Sequence, residues 1–300
     1  MLNLSGLIYI VLASLAFGLM PIWVKLAYAT GLTAYEVLFL RALLGACFLF
    51  VFIRFKKISL KLEPGQIKIL LFAATVGYTA AVTTLYLAYN YISVGVATSL
   101  HYLFPVVVML IAVVLYKDKL YPAKWIALIL SVFGVYLMTA GESISLHPAG
   151  VLLGIASACT FAIYVVGVDH PDIKTLDSLV LAFYVCIIAA AVSFLLIMLN
   201  GEWPFALSGE GLFYVALVAF FCTALALLFF IKSVHLIGPA NASILSTLEP
   251  IVSIVAGVVF FKEEMSFQVG LGCALVLGAV FILSWHDAKN LELDKIGKQN

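Results

Sequence analysis

The sequence predicts an all-α integral membrane protein of ten transmembrane helices, arranged as two inverted five-helix repeats. Composition is the first observation behind this: across 300 residues, 65% are hydrophobic and 10% charged, with a mean hydropathy of +1.20, far from the soluble globular mix. The second is spacing, because apolar stretches of roughly 20 residues recur about every 30, the length that crosses a hydrocarbon core of about 30 Å. The third is self-similarity. Shifted by about 145 residues, SVGVATSLHYLFPVVVMLIAVVLYKDKL (Ser93 to Leu120) pairs with GPANASILSTLEPIVSIVAGVVFFKEEM (Gly238 to Met265). Five spans, an odd number, separate the two copies, so the second is expected upside down relative to the first.

The predicted spans lie near 4–27, 34–54, 67–90, 93–116, 122–140, 149–168, 176–199, 210–233, 239–261 and 267–286. The first has no basic leading segment and exceeds a secretory signal's apolar core, so it is expected to be retained. Its LASLAF (Leu12 to Phe17) resembles IASACTF (Ile155 to Phe161) in the sixth, a weaker match. The second carries Glu36 near its outer end and Arg41 deeper. The third holds Thr75, Thr79, Thr83, Tyr86 and Asn90 at helical spacing. The fourth and ninth are the repeated windows, with Pro105 and Pro250 inside them; Pro21 lies inside the first, while the other prolines fall in loops or at helix starts. The sixth presents Gly150, Gly154 and Ala158 on one face, and the tenth Gly270, Ala274 and Gly278; such faces let helices approach closely. Packing within the bundle is the expected use of both faces, and the choice between monomer and homodimer stays open. The organisation is therefore residues 1–142 as the first five-helix repeat, 149–286 as the second, and 287–300 as a polar cytoplasmic tail.

Charge gives the orientation. With the N-terminus inside, inner loops and tail hold Arg54, Lys56, Lys57, Lys61, Lys68, Lys117, Lys119, Lys124, Lys174, Lys232, Lys289, Lys295 and Lys298, against only Lys25 and Lys262 outside. The positive-inside rule then places both termini in the cytoplasm, with the protein multi-pass in the cell (plasma or inner) membrane. Trp23, Trp125, Trp203 and Trp285 fall at span ends and are expected as interfacial anchors. The five cysteines all lie within spans, with no CxxC pair or Cys/His ligand spacing, so packing is expected of them and no metal or other cofactor is indicated.

Several side chains are too costly in lipid to be incidental. A proline inside a helix removes one N–H and displaces the carbonyl four residues earlier, which belongs to His101 for Pro105 and to Ser246 for Pro250. Such backbone is tolerated only against protein or a water-filled cavity. Across the repeat His101 pairs with Ser246, Tyr102 with Thr247, Phe104 with Glu249 and Val96 with Asn241, so the scaffold repeats and its polar groups do not. Glu249 lies about 15 Å along its span, and an acid at that depth costs roughly 2.5–3.5 kcal/mol on insertion scales. It reads either as a proton carrier or counter-charge to an ammonium group, or as a structural acid stabilising the break. His101 reads as a hydrogen-bonded core imidazole or as a titrating cavity group. Arg41 either snorkels or pairs with Glu36, or offers a fork to a solute carboxylate. Tyr78, Tyr86 and Tyr102 lie deeper than the interfacial belt, where buried phenols normally find partners. The candidate solute-binding set is thus Arg41, Tyr78, Tyr86, His101, Tyr102, Asn241, Ser246 and Glu249, with Pro105 and Pro250 as helix breaks.

The doubled pattern of proline, apolar run, acidic residue and Gly-rich last span resembles the drug/metabolite transporter superfamily, specifically its ten-helix EamA-like branch. LEPIVSIVAGVVFFKEEM (Leu248 to Met265) with GLGCALVLGAVFIL (Gly270 to Leu283) is similar to that family's second-repeat signature. LHYLFPVVVMLIAVVLYKDKL (Leu100 to Leu120) resembles the first, with Asp118 where Glu is commoner. The resemblance implies a secondary transporter working by alternating access, exporting amino acids or related small metabolites through a cavity between the third, fourth, eighth and ninth spans. It also implies that the Glu249–Pro250 pair belongs to the general signature whatever the solute. Expected partners are a small-molecule solute, the lipid bilayer and protons as coupling ion, with no nucleic acid. No GxxxxGK[ST] motif appears, so a gradient would supply the energy. A drug, nucleotide-related or sugar-phosphate solute is the alternative, although the ninth and tenth spans hold no buried Lys or Arg for a phosphate. A receptor without flux is a further one. No GxSxG or HExxH set supports an enzyme.

Overall fold

In a lipid environment every backbone polar group must be satisfied within the chain, and this molecule does so with helices. The computed structural model describes residues 3–88, 90–92, 94–116, 121–139, 147–201, 207–261 and 266–297. Lys117, Asp118, Lys119, Trp203, Lys262, Glu263 and Lys298 lie outside the described residues. The helices are α1 (Leu4–Gly18), α2 (Met20–Ala29), α3 (Ala34–Phe55), α4 (Pro64–Ala88), α5 (Val94–His101), α6 (Phe104–Tyr116), α7 (Pro122–Thr139) and α8 (Pro148–Gly167). After a single turn at Pro171–Lys174 follow α9 (Ser178–Asn200), α10 (Gly209–Ile237), α11 (Pro239–Leu245), α12 (Leu248–Phe261) and α13 (Phe267–Gly297). By length and composition, seven helical stretches among the described residues can cross a membrane, and three more, Phe104–Val114, Pro122–Leu137 and Phe267–Ile282, are shorter apolar helices. The last helix continues to Gly297, through most of the segment expected as a tail.

The starts and stops follow local chemistry. Thr33 and Glu36 form a reciprocal capping box at the start of α3, Asp177 accepts from the Leu179 N–H at 2.8 Å, and Ser208 accepts from the Gly211 N–H at 3.0 Å. Pro64, Pro148 and Pro239 occupy first-turn positions where a missing N–H costs nothing. Gly201 closes α9 with φ of 70°, a conformation that favours glycine. Both repeated windows break where the prolines demand it: α5 gives way to α6 across Tyr102–Leu103, and α11 to α12 across Ser246–Thr247. The first predicted span is also two helices, parted at Leu19 just before Pro21.

Two features were not legible in the spacing. Within α4, residues Ala73–Thr79 widen to π geometry, and within α10 residues Val218–Leu225 do the same. The Thr79 hydroxyl donates to the carbonyl of Ala74 at 2.8 Å, and Thr223 to that of Val218 at 3.1 Å, each five residues back. The expected Thr75–Thr79–Thr83 stripe on one α-helical face is therefore interrupted. A π turn inserts one residue and rotates everything beyond it.

Packing between the halves is reciprocal. Helix α1 lies against the end of α10, and α8 against the end of α4; α3 packs on α9 and α7 on α13; α12 covers α1 as α6 covers α8. The tightest contacts repeat too: a Cβ on Gly6 would fall 2.5 Å from Ile237 Cγ2, and one on Gly150 would fall 2.7 Å from Ile92 Cγ2. Gly154, against Leu100, also packs inside the bundle as expected. The small face of the last helix does not. A Cβ on Gly270 or Gly278 would touch nothing, and Ala274 is exposed. Helix α13 instead turns Gly272, Val276 and Ala279 inward, with Gly272 against Gly134 of α7. Trp125 and Trp285 are exposed on the helix surface, whereas Trp23 packs inward beside Val24 and Val218.

Candidate functional site

The breaks bring costly side chains together near the middle of the bundle. Arg41 is the clearest case, because a guanidinium stays charged in any protein environment. It is 4% exposed, so it does not snorkel. Nor does it pair with Glu36, whose carboxylate accepts from the Thr33 N–H at 2.7 Å in the helix cap. Five residues on an α-helix turn the two side chains about 140° apart, which explains the miss. Arg41 instead directs Nη1 at the Met20 sulfur, 3.0 Å away, and Nη2 at the Tyr78 hydroxyl, 3.4 Å away. Tyr28 and Tyr86 lie within electrostatic range of the same guanidinium.

The Met20 contact ties this group to the second one. Met20 opens α2 directly after the break, and two residues earlier Gly18 presses on the start of α12. A Cβ at Gly18 would stand 2.5 Å from Val252 and 2.8 Å from the Glu249 carbonyl oxygen, and the Gly18 carbonyl accepts from Ser253 Oγ at 2.9 Å. Three residues thus bridge Arg41 to the backbone of Glu249. The Tyr102 phenol of the opposite break lies close to the Glu249 carboxylate. Across the repeat, Tyr102 and Glu249 are nearly equivalent positions, so the two broken helices meet through their unlike residues.

An aromatic chain connects the remaining members. Tyr78 packs on Tyr164 with ring centroids 5.3 Å apart, Tyr164 on Phe161 at 5.7 Å, and Phe161 on His101 at 5.1 Å. Phe230 stacks on Tyr164 at 6.4 Å and lies 6.0 Å from Phe161. The His101 Nδ1 lies 2.8 Å from Ser157 Oγ, which donates to the Ala81 carbonyl at 2.8 Å. Tyr164 is completely buried, and among the described residues its hydroxyl has no hydrogen-bond partner. Such an orphan is rare in native structures and marks a place that expects a partner.

Two candidates are turned elsewhere. Ser246 donates to the Ser243 carbonyl at 2.8 Å, and Asn241 Nδ2 to the Ile237 carbonyl at 3.0 Å, both within their own chain segment. The carbonyl of Ser246, expected to be loosened by Pro250, accepts the Glu249 N–H at 3.0 Å. A tight turn between the two half-helices recovers the bond that the proline forfeits. Tyr164, Met20, Gly18 and Ser157 were not singled out from the sequence as site residues. Tyr164 was within reach of the depth argument applied to the other three tyrosines; Met20 and Gly18 carry no chemical signal until the break is seen in three dimensions.

The sequence model of the EamA-like transporter family matches residues 4–140 and again 148–285. Among curated proteins, the uncharacterized transporter YwfM of Bacillus subtilis is 29% identical over 163 residues, 53% of this chain and 54% of that protein. Protein RarD of Streptomyces exfoliatus is 26% identical over 185 residues, 62% of this chain and 57% of that protein. Human solute carrier family 35 member G1 is 22% identical over 273 residues, covering 86% and 73%. The chain thus spans little more than half the length of the first two. A crystal structure matches with TM-score 0.84 over 96% of this chain and 99% of its own, at 18% identity, a likeness of fold alone.

Proposed function

The chain belongs to the EamA-like transporter family, and from that premise we propose that it moves amino acids or related small metabolites out of the cell by alternating access. In this reading all ten predicted spans cross the plasma or inner membrane, with both termini cytoplasmic and the second half inverted on the first. The observation that carries it is the reciprocal packing of two halves around broken helices, with Gly6 on Ile237 matched by Gly150 on Ile92. Two similar halves that can rock about a shared centre are what alternating access requires. Arg41, Tyr78, Tyr86, His101, Tyr102 and Glu249 sit at that centre and line the solute path, and Asn241 and Ser246 shape the start and the break of its ninth span. Glu249 carries the coupling proton, because an acid at mid-membrane beside a phenol can exchange a proton with either side as the halves rock.

Reconstituted protein tests this directly. Counterflow of radiolabelled amino acids into proteoliposomes is expected to exceed that of empty liposomes and to respond to an imposed pH gradient. Glu249→Gln is expected to remove the pH response, and His101→Ala to change the apparent solute affinity. Absence of flux for every amino acid, with flux for a drug, a nucleotide-related compound or a sugar phosphate, would replace the solute class. No flux for any solute would replace transport by a receptor role.

A further inference from the structure

We propose that Arg41 is the carboxylate-binding subsite of this transporter, so that its solutes must carry a free carboxylate. The inference rests on the transport reading above and adds the chemical group that decides which molecules qualify. Arg41 is the sole basic residue that lies deep within a predicted span, and it is 4% exposed. Burying a charge is expensive unless it is paired and hydrogen-bonded. Yet its partners are a thioether at 3.0 Å and a phenol at 3.4 Å, a weak acceptor and a long bond, and among the described residues no carboxylate pairs with it. A guanidinium presents five N–H donors in a planar fork that matches two carboxylate oxygens. The structure therefore holds a charged fork with weak occupants inside the bundle, which an anionic solute would complete.

The surroundings favour a carboxylate on an amphipathic molecule. Tyr78, which holds Nη2, packs on Tyr164, and the unpartnered Tyr164 hydroxyl lies in the same aromatic layer. Phe161 and Phe230 extend that layer as an apolar wall. Through Met20 and Gly18 the fork is joined to the segment bearing Glu249, the single acid of the assembly and a natural counter-charge to an ammonium group. Met20 and Tyr78 are each light partners that a stronger acceptor can displace without leaving a buried charge behind.

The test uses purified protein in proteoliposomes and one family of probes: L-phenylalanine, its methyl ester, phenethylamine, 3-phenylpropionate and phenyl phosphate, each competing with labelled L-phenylalanine or L-leucine. The wild-type protein is expected to bind the two free carboxylates at least tenfold better than the ester and the amine. A charge-assisted bidentate pair is worth roughly ten- to hundredfold in affinity. Arg41→Lys keeps the charge and loses the fork, and Arg41→Gln loses both; each is expected to collapse the acid-to-ester ratio toward one, a readout that a purely structural role would leave in place. Should the Arg41 variants not assemble, Tyr78→Phe, which keeps the ring and frees Nη2, is expected to shift the same ratio, and the wild-type ratio stands by itself. Equal competition by ester and acid, stronger competition by phenyl phosphate, or an unchanged ratio in an Arg41 variant would overturn the carboxylate site while leaving transport intact. No flux of any solute in the wild-type protein would overturn transport and this subsite together.

Discussion

Helix α8 runs without interruption from Pro148 to Gly167, whereas its counterpart in the first half stops at Gly18 and restarts at Met20. Most else is shared between the halves: the π turns closed by Thr79 and Thr223, the breaks before Pro105 and Pro250, and the glycine contacts at Gly6 and Gly150. In the register that carries Gly6 onto Gly150 and Thr79 onto Thr223, Arg41 falls on Val185, Tyr78 on Cys222, Met20 on Tyr164 and Gly18 on Ala162. Every member of the Arg41 group therefore lacks a chemical equivalent on the other side. The proposed transport cycle assigns motion to the symmetric features and ligand binding to the asymmetric ones.

Gly18→Ala is the strongest way to break this contrast. It gives the first half the residue already present as Ala162, but the new methyl would meet Val252 and the Glu249 carbonyl. A cost of about 3 kcal/mol is expected, since backbone cannot step aside as a side chain can. Denaturation in mixed micelles measures it, and a neutral result would show that the break tolerates a side chain. The paired serines come next. Ser157→Ala is expected to cost about 2 kcal/mol by stranding His101 Nδ1, while the Ala81 carbonyl keeps the Thr84 hydroxyl at 3.1 Å. Ser14→Ala removes a buried hydroxyl that has no partner and is expected to be neutral or stabilising. Equal losses at the two sites would erase the difference between the first and sixth spans.

The threonines test the shared frame. Thr79→Val and Thr223→Val each delete one hydroxyl bond across a π turn, and each is expected to cost about 1 kcal/mol. Unequal effects would show that one turn bears more of the strain. The smallest effect is at the end of α8, where Asp169 pairs with Lys174 at 2.7 Å beside His235, whose Nε2 contacts the Val168 carbonyl at 2.8 Å. Burial raises the Asp169 carboxyl above the usual range, against the opposing pull of Lys174. The folded state therefore holds this proton at higher pH than the unfolded chain. Stability from it is present at low pH and falls as pH rises from the ordinary carboxylate value through the raised one. Asp169→Asn is expected to flatten that slope in pH-dependent melting, and an unchanged slope would assign it to another group.

Much of the frame was readable from the chain. Apart from the last helix, which runs on to Gly297, helices start and end within a few residues of the predicted spans, and both repeated windows part beside the expected prolines. The site was legible in part. Arg41, Tyr78, Tyr102 and Glu249 stand out because charge and phenol are costly at that depth, and the structure joins Arg41 with Tyr78 and sets Tyr102 beside Glu249. Asn241 and Ser246 stand out for the same reason, but each donates to its own backbone, leaving only the buried Asn241 Oδ1 without a partner among the described residues.

The sequence by itself determined where the apolar helices lie, that two halves repeat, and where helices must part, because hydropathy and the missing N–H of proline act along the chain. Only the tertiary structure decided that Arg41 turns from Glu36 to Tyr78, that threonines close π turns, and that the last helix turns Gly270, Ala274 and Gly278 outward. Each of these is a rotation about a helix axis. In an apolar bundle such a rotation is fixed by the neighbours a helix meets, since lipid and protein interior attract its apolar faces almost equally.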